Sequence, residues 1–222
     1  VDADGFDDFL VGAPDNDGAA AGAGKVYLYL NPPSGTVSAT VADAFFRGGA
    51  AGDLFGYDVA IGGDINNDGY DDLIIGAPGN DDAGAAFGKV YFYWGGALSG
   101  TYSATAADES VTGTYADDQL GQVVAAAGDL NQDGYDDVLM AGPSASDHVS
   151  TGGKIAFVHG PITNRIPMWW YGLASNDKAG VGLSAVEDSD LDGYPELAIG
   201  CSGCGLSHFG EVYIRKGAAE NR

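Results

Sequence analysis

The stretch that decides the fold is GDINNDGYDDLIIGAP, which spans residues 63–78. Its first half carries acidic or amide side chains on alternate positions around an Asp-Gly pair, and its second half is an apolar run. Asp-Gly favours a tight turn, and a short apolar run bounded by turn residues is typical of a buried strand. The stretch therefore predicts a strongly acidic loop that leads directly into a strand of the core.

Copies of this stretch recur along the chain. The Asp-Gly glycines are Gly5, Gly69, Gly134 and Gly193, at intervals of roughly 60 residues, which suits a four-stranded propeller blade. The second copy begins FGYDVA and is followed by GKVYFYWGG, and the third begins LGQVVA and is followed by GKIAFVHG. We predict one domain over 1–222, made of repeats at approximately 1–54, 55–119, 120–178 and 179–222.

Composition supports an all-β protein that binds cations. The 222 residues include 37 glycines and 12 tyrosines, and no long segment has helical periodicity. The formal net charge is −23, from 32 acidic residues against 9 Lys and Arg. Such a surface repels nucleic acids and anionic membranes, and no apolar run is long enough to cross a bilayer. We expect neither nucleic-acid binding nor direct membrane insertion.

Each repeat predicts antiparallel strands in one order. One strand precedes the acidic loop, a second follows it, a third follows the Gly-Lys or Gly-Glu pair, and outer strands are assigned to 36–47, 101–112 and 162–171. The first repeat lacks its first strand and the fourth lacks its outer strand, which leaves about 14 strands. We predict a partial β-propeller with incomplete first and last blades. Because unpaired edges need a cover, we interpret the chain as part of a larger propeller, or as one completed by self-association or another chain.

The acidic loops have the ligand spacing of a calcium site. Oxygen ligands on alternate positions 1, 3 and 5, a glycine at 6, a carbonyl at 7 and an acid at 9 suit Ca²⁺, whereas Mg²⁺ prefers a rigid octahedral shell that keeps its waters. The loop is not an EF-hand, because no helix flanks it and the closing acid does not stand at position 12. The predicted ligands, with aromatic residues contributing their carbonyls, are Asp2, Asp4, Phe6 and Asp8; Asp64, Asn66, Asp68, Tyr70 and Asp72; Asp129, Asn131, Asp133, Tyr135 and Asp137; and Asp188, Asp190, Asp192, Tyr194 and Glu196.

A single loop of this kind is explained nearly as well by an Asp-Gly hairpin whose acids face water. Recurrence in one register favours metal, because carboxylates within a few ångströms repel each other unless a cation neutralises them. We expect about three to four Ca²⁺ ions. The first loop is the incomplete one, because the equivalent of Asp64 would precede Val1.

Three segments in fixed order, Phe55-Gly56, the DxNxDGxxD loop and Gly76-Ala77-Pro78, resemble the FG-GAP repeat of integrin α-subunit β-propellers and their bacterial relatives. The resemblance covers nearly the whole chain. It implies radially arranged four-stranded blades, calcium in the hairpin between the first two strands, and ligand contact from the opposite face. The chain departs from the pattern at Leu120-Gly121, Ala179-Gly180, Ala141-Gly142-Pro143 and Gly200-Cys201-Ser202, and it has four repeats where such propellers usually have about seven.

Cys201 and Cys204 form a CxxC pair in the last repeat. A zinc site would need two more ligands, of which His208 supplies only one, and a thioredoxin-like redox pair would need a βαβ setting. We predict a disulfide between the two cysteines, which is consistent with an exported protein.

The aromatic run MWWY at 168–171 is a candidate platform for stacking on a carbohydrate. Trp170 aligns with Phe46 and Val111, so we assign it to packing between blades. Trp169 lies on the opposite face of the predicted strand and is a possible ligand contact.

Catalytic groups are not apparent. His148, His159 and His208 stand in unrelated contexts without a matched nucleophile, and nearly all paired carboxylates fall at metal positions. The segments that vary between repeats are the loops at about 79–87, 144–152 and 201–209 and those around Asp53, Asp118 and Asp177. Variable loops on a constant frame are typical of recognition surfaces.

These patterns predict a calcium-binding, non-catalytic module for adhesion or recognition, secreted or at the cell surface, with a protein or carbohydrate partner. Two alternatives stay open. The repeats could belong to a secreted enzyme acting on a polysaccharide or phosphoester, as its accessory or catalytic propeller. They could also form a self-assembling surface or filament subunit.

Overall fold

Short strands account for nearly all of the regular structure. The computed structural model describes residues 1–31, 35–146, 148–163, 165–186, 188–205 and 209–216. The strands in these ranges are β1 (Phe9–Ala13), β2 (Lys25–Tyr29), β3 (Ala44–Arg47), β4 (Val59–Ile61), β5 (Leu73–Ala77), β6 (Lys89–Tyr93), β7 (Gly100–Ser103), β8 (Glu109–Thr112), β9 (Val123–Gly128), β10 (Asp137–Gly142), β11 (Lys154–Val158), β12 (Met168–Tyr171), β13 (Ala179–Val186), β14 (Glu196–Cys201) and β15 (Glu211–Lys216). Two 3-10 helices, Ala39–Val41 and Ala104–Ala106, precede β3 and β8. No helix in the described ranges is suited to crossing a membrane.

The strands form four sheets that follow one another along the chain. Their orders are β1-β2-β3-β7, β4-β5-β6-β8, β9-β10-β11-β12 and β13-β14-β15. Hydrogen-bonded neighbours run antiparallel except β3 and β7. Consecutive sheets contact each other through β1 and β4, β4 and β9, and β9 and β13. The predicted all-β, partial-propeller architecture is confirmed, and each sheet is called a blade below.

The second strand of a blade is apolar on both faces because it lies between two neighbouring blades. In β5, Leu73 and Ile75 pack in the cluster shared with the first blade, and Ile74 packs in the cluster shared with the third. This follows from the two-residue period of a strand, which sends adjacent side chains to opposite faces. A third cluster joins the third and fourth blades. Full burial of one such side chain contributes roughly 1.5–3 kcal/mol.

Glycines fix how closely the blades approach. A Cβ on Gly12 would lie 2.1 Å from the carbonyl oxygen of Gly56, and one on Gly76 would lie 2.1 Å from the carbonyl oxygen of Gly121. Gly56 has a φ of +83°, a conformation that L side chains rarely adopt. The glycine of the GAP segment in one blade therefore contacts the glycine of the FG pair, or of its variant Leu120-Gly121, in the next blade.

One strand joins a blade other than the one its repeat predicts. The segment expected to form a single outer strand at 101–112 divides into β7, a 3-10 helix and β8. β7 pairs in parallel with β3 of the first blade, and Tyr102 stacks on Phe46 with ring centroids 5.1 Å apart. Burying this aromatic contact accounts for the rearrangement, which raises the strand number in the described residues above the 14 or so expected.

Candidate metal centres

The acidic loops lie at equivalent places in the blades. Residues 64–72, 129–137 and 188–196 join β4 to β5, β9 to β10 and β13 to β14, and residues 2–8 immediately precede β1. The loops of neighbouring blades touch, as described below, so they gather at one end of the blades.

The loop of the second blade is shaped by bonds from its own backbone to its side chains. Asp64 accepts the amide hydrogens of Asp68 and Gly69 through its two carboxylate oxygens, both at 2.8 Å. Asn66 Oδ1 accepts the Asp68 amide at 2.9 Å, and Asp68 Oδ1 accepts the Tyr70 amide at 3.0 Å. The oxygens at positions 1, 3 and 5 are therefore collected on the inside of one tight turn.

The third and fourth loops repeat this pattern almost unchanged. Asp129 and Asp188 each accept two amides at 2.9–3.1 Å, from positions 5 and 6 of their own loops. The residues at positions 4 and 6 are left-handed in every copy: Ala3 and Gly5, Asn67 and Gly69, Gln132 and Gly134, and Leu191 and Gly193. The first loop keeps the amide bonds to Asp2 and Asp4, at 3.2 and 2.9 Å. The similar sequences thus adopt one backbone conformation.

The closing acid at position 9 ties its loop to the third strand of the blade. Asp72 is fully buried and accepts the amides of Ile65 at 2.9 Å and Gly95 at 2.8 Å. Asp137 makes the same two bonds, to Leu130 at 3.0 Å and Gly160 at 2.9 Å. From the sequence, these acids were predicted only as metal ligands. Their second role, as acceptors of an amide at the end of the third strand, could have been predicted from the glycines that recur there, in WGG and HG.

Burial has an electrostatic consequence at Asp72. Loss of hydration raises the pKa of this carboxyl to about 6, against the effect of the two amide bonds, and the nearby Asp68 and Asp64 carboxylates raise it further. At Asp137 the Nδ1 atom of the buried His159 lies 3.1 Å from Oδ2, a contact that the sequence did not reveal. A cation in the loop would favour the charged form of such a buried acid.

The fourth loop carries the densest cluster of acids. Carboxylate oxygens of Asp188, Asp190, Asp192 and Glu196 lie within 4.8 Å of one another. Two unit charges 4 Å apart repel by about 1 kcal/mol in water and about 4 kcal/mol at an effective dielectric constant of 20. Lys216 neutralises part of this negative charge, since its ammonium contacts Asp190 and lies 3.3 Å from Asp192. The cluster thus already attracts a cation from its own chain.

Glu196 carries a direct sign of a further partner. Its Oε2 accepts the Ser189 amide at 2.7 Å and the Ser189 hydroxyl at 2.6 Å. Its Oε1 is buried and has no hydrogen-bond partner in the described part of the chain. A buried carboxylate oxygen without a partner is costly. A calcium ion held by all-oxygen ligands would satisfy it, so the residues of this loop fit the metal that the spacing predicted.

The loops of the second and third blades are bonded to each other. Asp136 accepts the Asp64 amide through Oδ2 at 2.8 Å, and its own amide donates to the Asp64 carbonyl at 3.1 Å. Burial is the main reason that the pKa of Asp136 is raised, and Asp129, Asp64 and Asp71 add to the effect. Between the third and fourth loops, the Gln132 side-chain amide donates to the Gly193 carbonyl.

At the opposite end of the blades, the aspartates of the variable loops close turns. Asp53, Asp118 and Asp177 are buried, and one oxygen of each accepts two amides from the preceding turn at 2.7–3.2 Å. Asp118 is also paired with the buried Lys154, whose Nζ lies 2.7 Å from its Oδ2. These acids stabilise the loops that carry them. Asp147 and residues 206–208, which belong to two other variable loops, are outside the described residues.

Both tryptophans of the MWWY run contact the rest of the protein. Trp169 is partly buried against the cluster between the second and third blades, and Lys154 Nζ lies 4.4 Å from its ring centroid. Trp170 packs in the next junction, where it stacks on Phe157 at 6.0 Å. A disulfide links Cys201 and Cys204, whose Cα atoms are 5.5 Å apart, and both cysteines are buried in that same junction.

Comparison with known proteins gives a consistent result. The FG-GAP repeat family model matches residues 55–93 and 120–158. Integrin alpha-V of Gallus gallus is 31% identical over 212 residues, which cover 90% of this chain and 19% of that protein. Integrin alpha-5 of Xenopus laevis is 30% identical over 212 residues, with the same coverage, and integrin alpha-6 of Gallus gallus is 33% identical over 180 residues, 74% of this chain and 15% of that protein.

The matched segments coincide with the strands and loops described above. Each runs from the FG position or its variant, through the acidic loop, to the end of the third strand of a blade. The chain spans less than a fifth of the length of the integrin α relatives named here. It is a protein of FG-GAP repeats that forms part of an integrin α-like β-propeller.

Proposed function

We propose that this chain is a calcium-binding recognition module that acts outside the cell and performs no catalysis itself. The observation that carries the proposal is the fourth acidic loop, where four carboxylates converge and a buried oxygen of Glu196 has no partner among the described residues. The second and third loops share its backbone conformation. Ca²⁺ accepts six to eight oxygen ligands with flexible geometry, so these loops suit it better than Mg²⁺.

The proposed ligands are side-chain oxygens at loop positions 1, 3, 5 and 9 and the carbonyl at position 7. They are Asp64, Asn66, Asp68, Tyr70 and Asp72; Asp129, Asn131, Asp133, Tyr135 and Asp137; and Asp188, Asp190, Asp192, Tyr194 and Glu196, with Asp2, Asp4, Phe6 and Asp8 as a fourth, less complete set. The ions would neutralise the negative charge of the loops, each of which joins the first two strands of its blade. Because the closing acid also accepts an amide at the end of the third strand, a bound ion would hold the three strands together.

Recognition is assigned to the other end of the blades. The loops there vary in sequence between repeats, whereas buried aspartates hold their turns in one geometry. Such variation on a rigid frame supports a binding surface. The relatives are integrin α-subunits, which supports adhesion to a protein partner at a cell surface; a carbohydrate partner is the second option, for which Trp169 was singled out.

Native mass spectrometry in millimolar Ca²⁺, with and without a chelator, tests the metal assignment. We expect at least three ions per chain and loss of compact charge states on chelation. Changing Asp188 and Asp192 to Asn should remove one ion. The matched control is Asp15 and Asp17 to Asn, which changes the charge equally outside the loops. No bound calcium in the unmodified chain, or equal ion loss in the control, would overturn the assignment.

A further inference from the structure

The third and fourth blades enclose a cavity. Its volume is about 90 Å³, and Ile155 and Trp170 of the third blade line it opposite Ala179, Ile199, Tyr213 and Arg215 of the fourth. Gly172 and Asp177, at the turn after β12, are also part of the lining.

The cavity exists because one side chain is small. Ala179 occupies the place that Phe55 and Leu120 hold in the preceding blades. Each of the three backbone amides donates to a carbonyl in the segment before β2, β6 or β11, at 2.9–3.2 Å. The pairs are Phe55 with Ala23, Leu120 with Phe87, and Ala179 with Gly152. Each donor residue is followed by a left-handed glycine, Gly56, Gly121 or Gly180, with φ between +83° and +96°. Phe55 and Leu120 are fully buried and fill their junctions; the alanine methyl does not.

The missing group has the shape of an aromatic ring. In the first junction, the Phe55 ring lies 5.4 Å from the Tyr91 ring. Tyr213 is the counterpart of Tyr91 in the fourth blade, because Tyr213 pairs with Ile199 as Tyr91 pairs with Ile75. Trp170 offers a second aromatic surface on the other side of the cavity. A dry cavity of ~150 Å³ can hold benzene; this cavity is smaller, so a ring would enter it in part and leave one edge in solvent.

One of the lining side chains carries a guanidinium. Arg215 replaces Tyr93 of the second blade and lies 5.9 Å from the Trp170 ring centroid. It forms no ion pair with any described residue. Asp177, which also lines the cavity, accepts the amides of Leu173 and Ala174, and Glu211 accepts the Tyr213 hydroxyl at 3.0 Å; neither acid forms an ion pair with Arg215. A carboxylate on the ligand would supply the counter-ion, and guanidinium pairs with carboxylate through two parallel hydrogen bonds.

We propose that this cavity binds an aromatic carboxylate, with the ring in the place of the absent Phe55-type side chain and the carboxylate on Arg215. Its lining contains none of the proposed calcium ligands, although Arg215 is next in sequence to Lys216, which contacts Asp190. It goes beyond the proposed recognition function by naming the chemical class of one ligand.

Phenylacetate is the probe, with benzyl alcohol and benzylamine as ring-matched neutral and cationic controls. Binding is followed by the indole N–H signal of Trp170 in NMR spectra of the whole chain with calcium. We expect saturable shifts at millimolar phenylacetate, at least threefold weaker binding of benzyl alcohol, and still weaker binding of benzylamine. Arg215→Gln should reduce the affinity for phenylacetate to that for benzyl alcohol.

Filling the cavity gives the decisive control. Ala179→Phe should raise the melting temperature and abolish the saturable shift at Trp170. Ala179→Leu copies the residue of the third blade at this position and serves if the phenylalanine variant does not fold. Undiminished phenylacetate binding in a folded variant, no saturable binding to the unmodified chain, or equal binding of the three probes would each overturn the proposal.

Discussion

The junction between the first and second blades and the junction between the third and fourth share a backbone frame but differ in what fills them. Phe55, Phe46 and Tyr93 close the first junction, with the Phe46 and Tyr93 rings 4.7 Å apart. The other has Ala179, Trp170 and Arg215 around a cavity. Since the fold persists in both, the backbone contacts set the arrangement of the blades and the side chains decide how tightly each junction is filled.

The largest expected effect comes from making the first junction resemble the last. Phe55→Ala should lower the free energy of unfolding by about 4 kcal/mol, because a fully buried ring is lost from a packed cluster that cannot collapse. Urea unfolding followed by tryptophan fluorescence measures it. Phe6→Ala, at a side chain that is 72% exposed, is the matched control and should be nearly neutral. A loss below about 1 kcal/mol for Phe55→Ala would mean that the two junctions are filled equally well.

The middle junction provides an electrostatic comparison. Lys154→Met should cost about 3 kcal/mol, because it leaves the buried carboxylate of Asp118 without its cation. Lys89→Met removes the corresponding lysine of the second blade, whose partner Asp82 is 60% exposed, and should cost less than about 1 kcal/mol. Thermal unfolding of both variants at the same pH compares them. Equal losses would show that burial of the pair is not what matters.

Backbone contact is probed at the glycines. Gly12→Ala should cost about 2 to 3 kcal/mol, because its Cβ would lie 2.1 Å from the Gly56 carbonyl oxygen. Gly200 is the corresponding residue of the fourth blade, where a Cβ would have 3.4 Å of clearance, so Gly200→Ala should be tolerated. Urea unfolding of the two variants tests whether the backbones of neighbouring blades approach as closely at Gly12 as the structure shows. A stable Gly12→Ala protein would contradict it.

The smallest effect concerns the link between acidic loops. Asp136→Ala removes the acceptor of the Asp64 amide and should cost about 1 kcal/mol, measured by urea unfolding at one fixed millimolar concentration of calcium. Asp71 is the equivalent residue of the second repeat; it is exposed and makes no described hydrogen bond through its carboxylate, so Asp71→Ala should change little. In the fourth repeat the position is Pro195, which has no amide hydrogen to donate. If both alanine variants behaved alike, the loops would be independent.

The repeat pattern was sufficient for the blade order and for the acidic turns, because both depend on local sequence. Asp-Gly turns and alternating apolar residues report strands and hairpins directly. The partnership of Asp72 with Gly95 was not predictable in the same way, since the two residues meet only once the third strand has folded back. The cavity at Ala179 is still less visible, because an Ala in place of Phe shows its effect only against the opposite blade.

The parallel strand β7 has a consequence for taking the protein apart. Although residues 55–119 form one sequence repeat, β7 from within it completes the sheet of the repeat before. Excision of 55–119 would therefore strip Tyr102 from Phe46 and leave the β3 edge open, in addition to removing one acidic loop. Because β7 lies between β6 and β8 along the chain, no single cut beside it leaves both sheets whole, and the smallest piece that keeps the first two blades intact runs from β1 to β8.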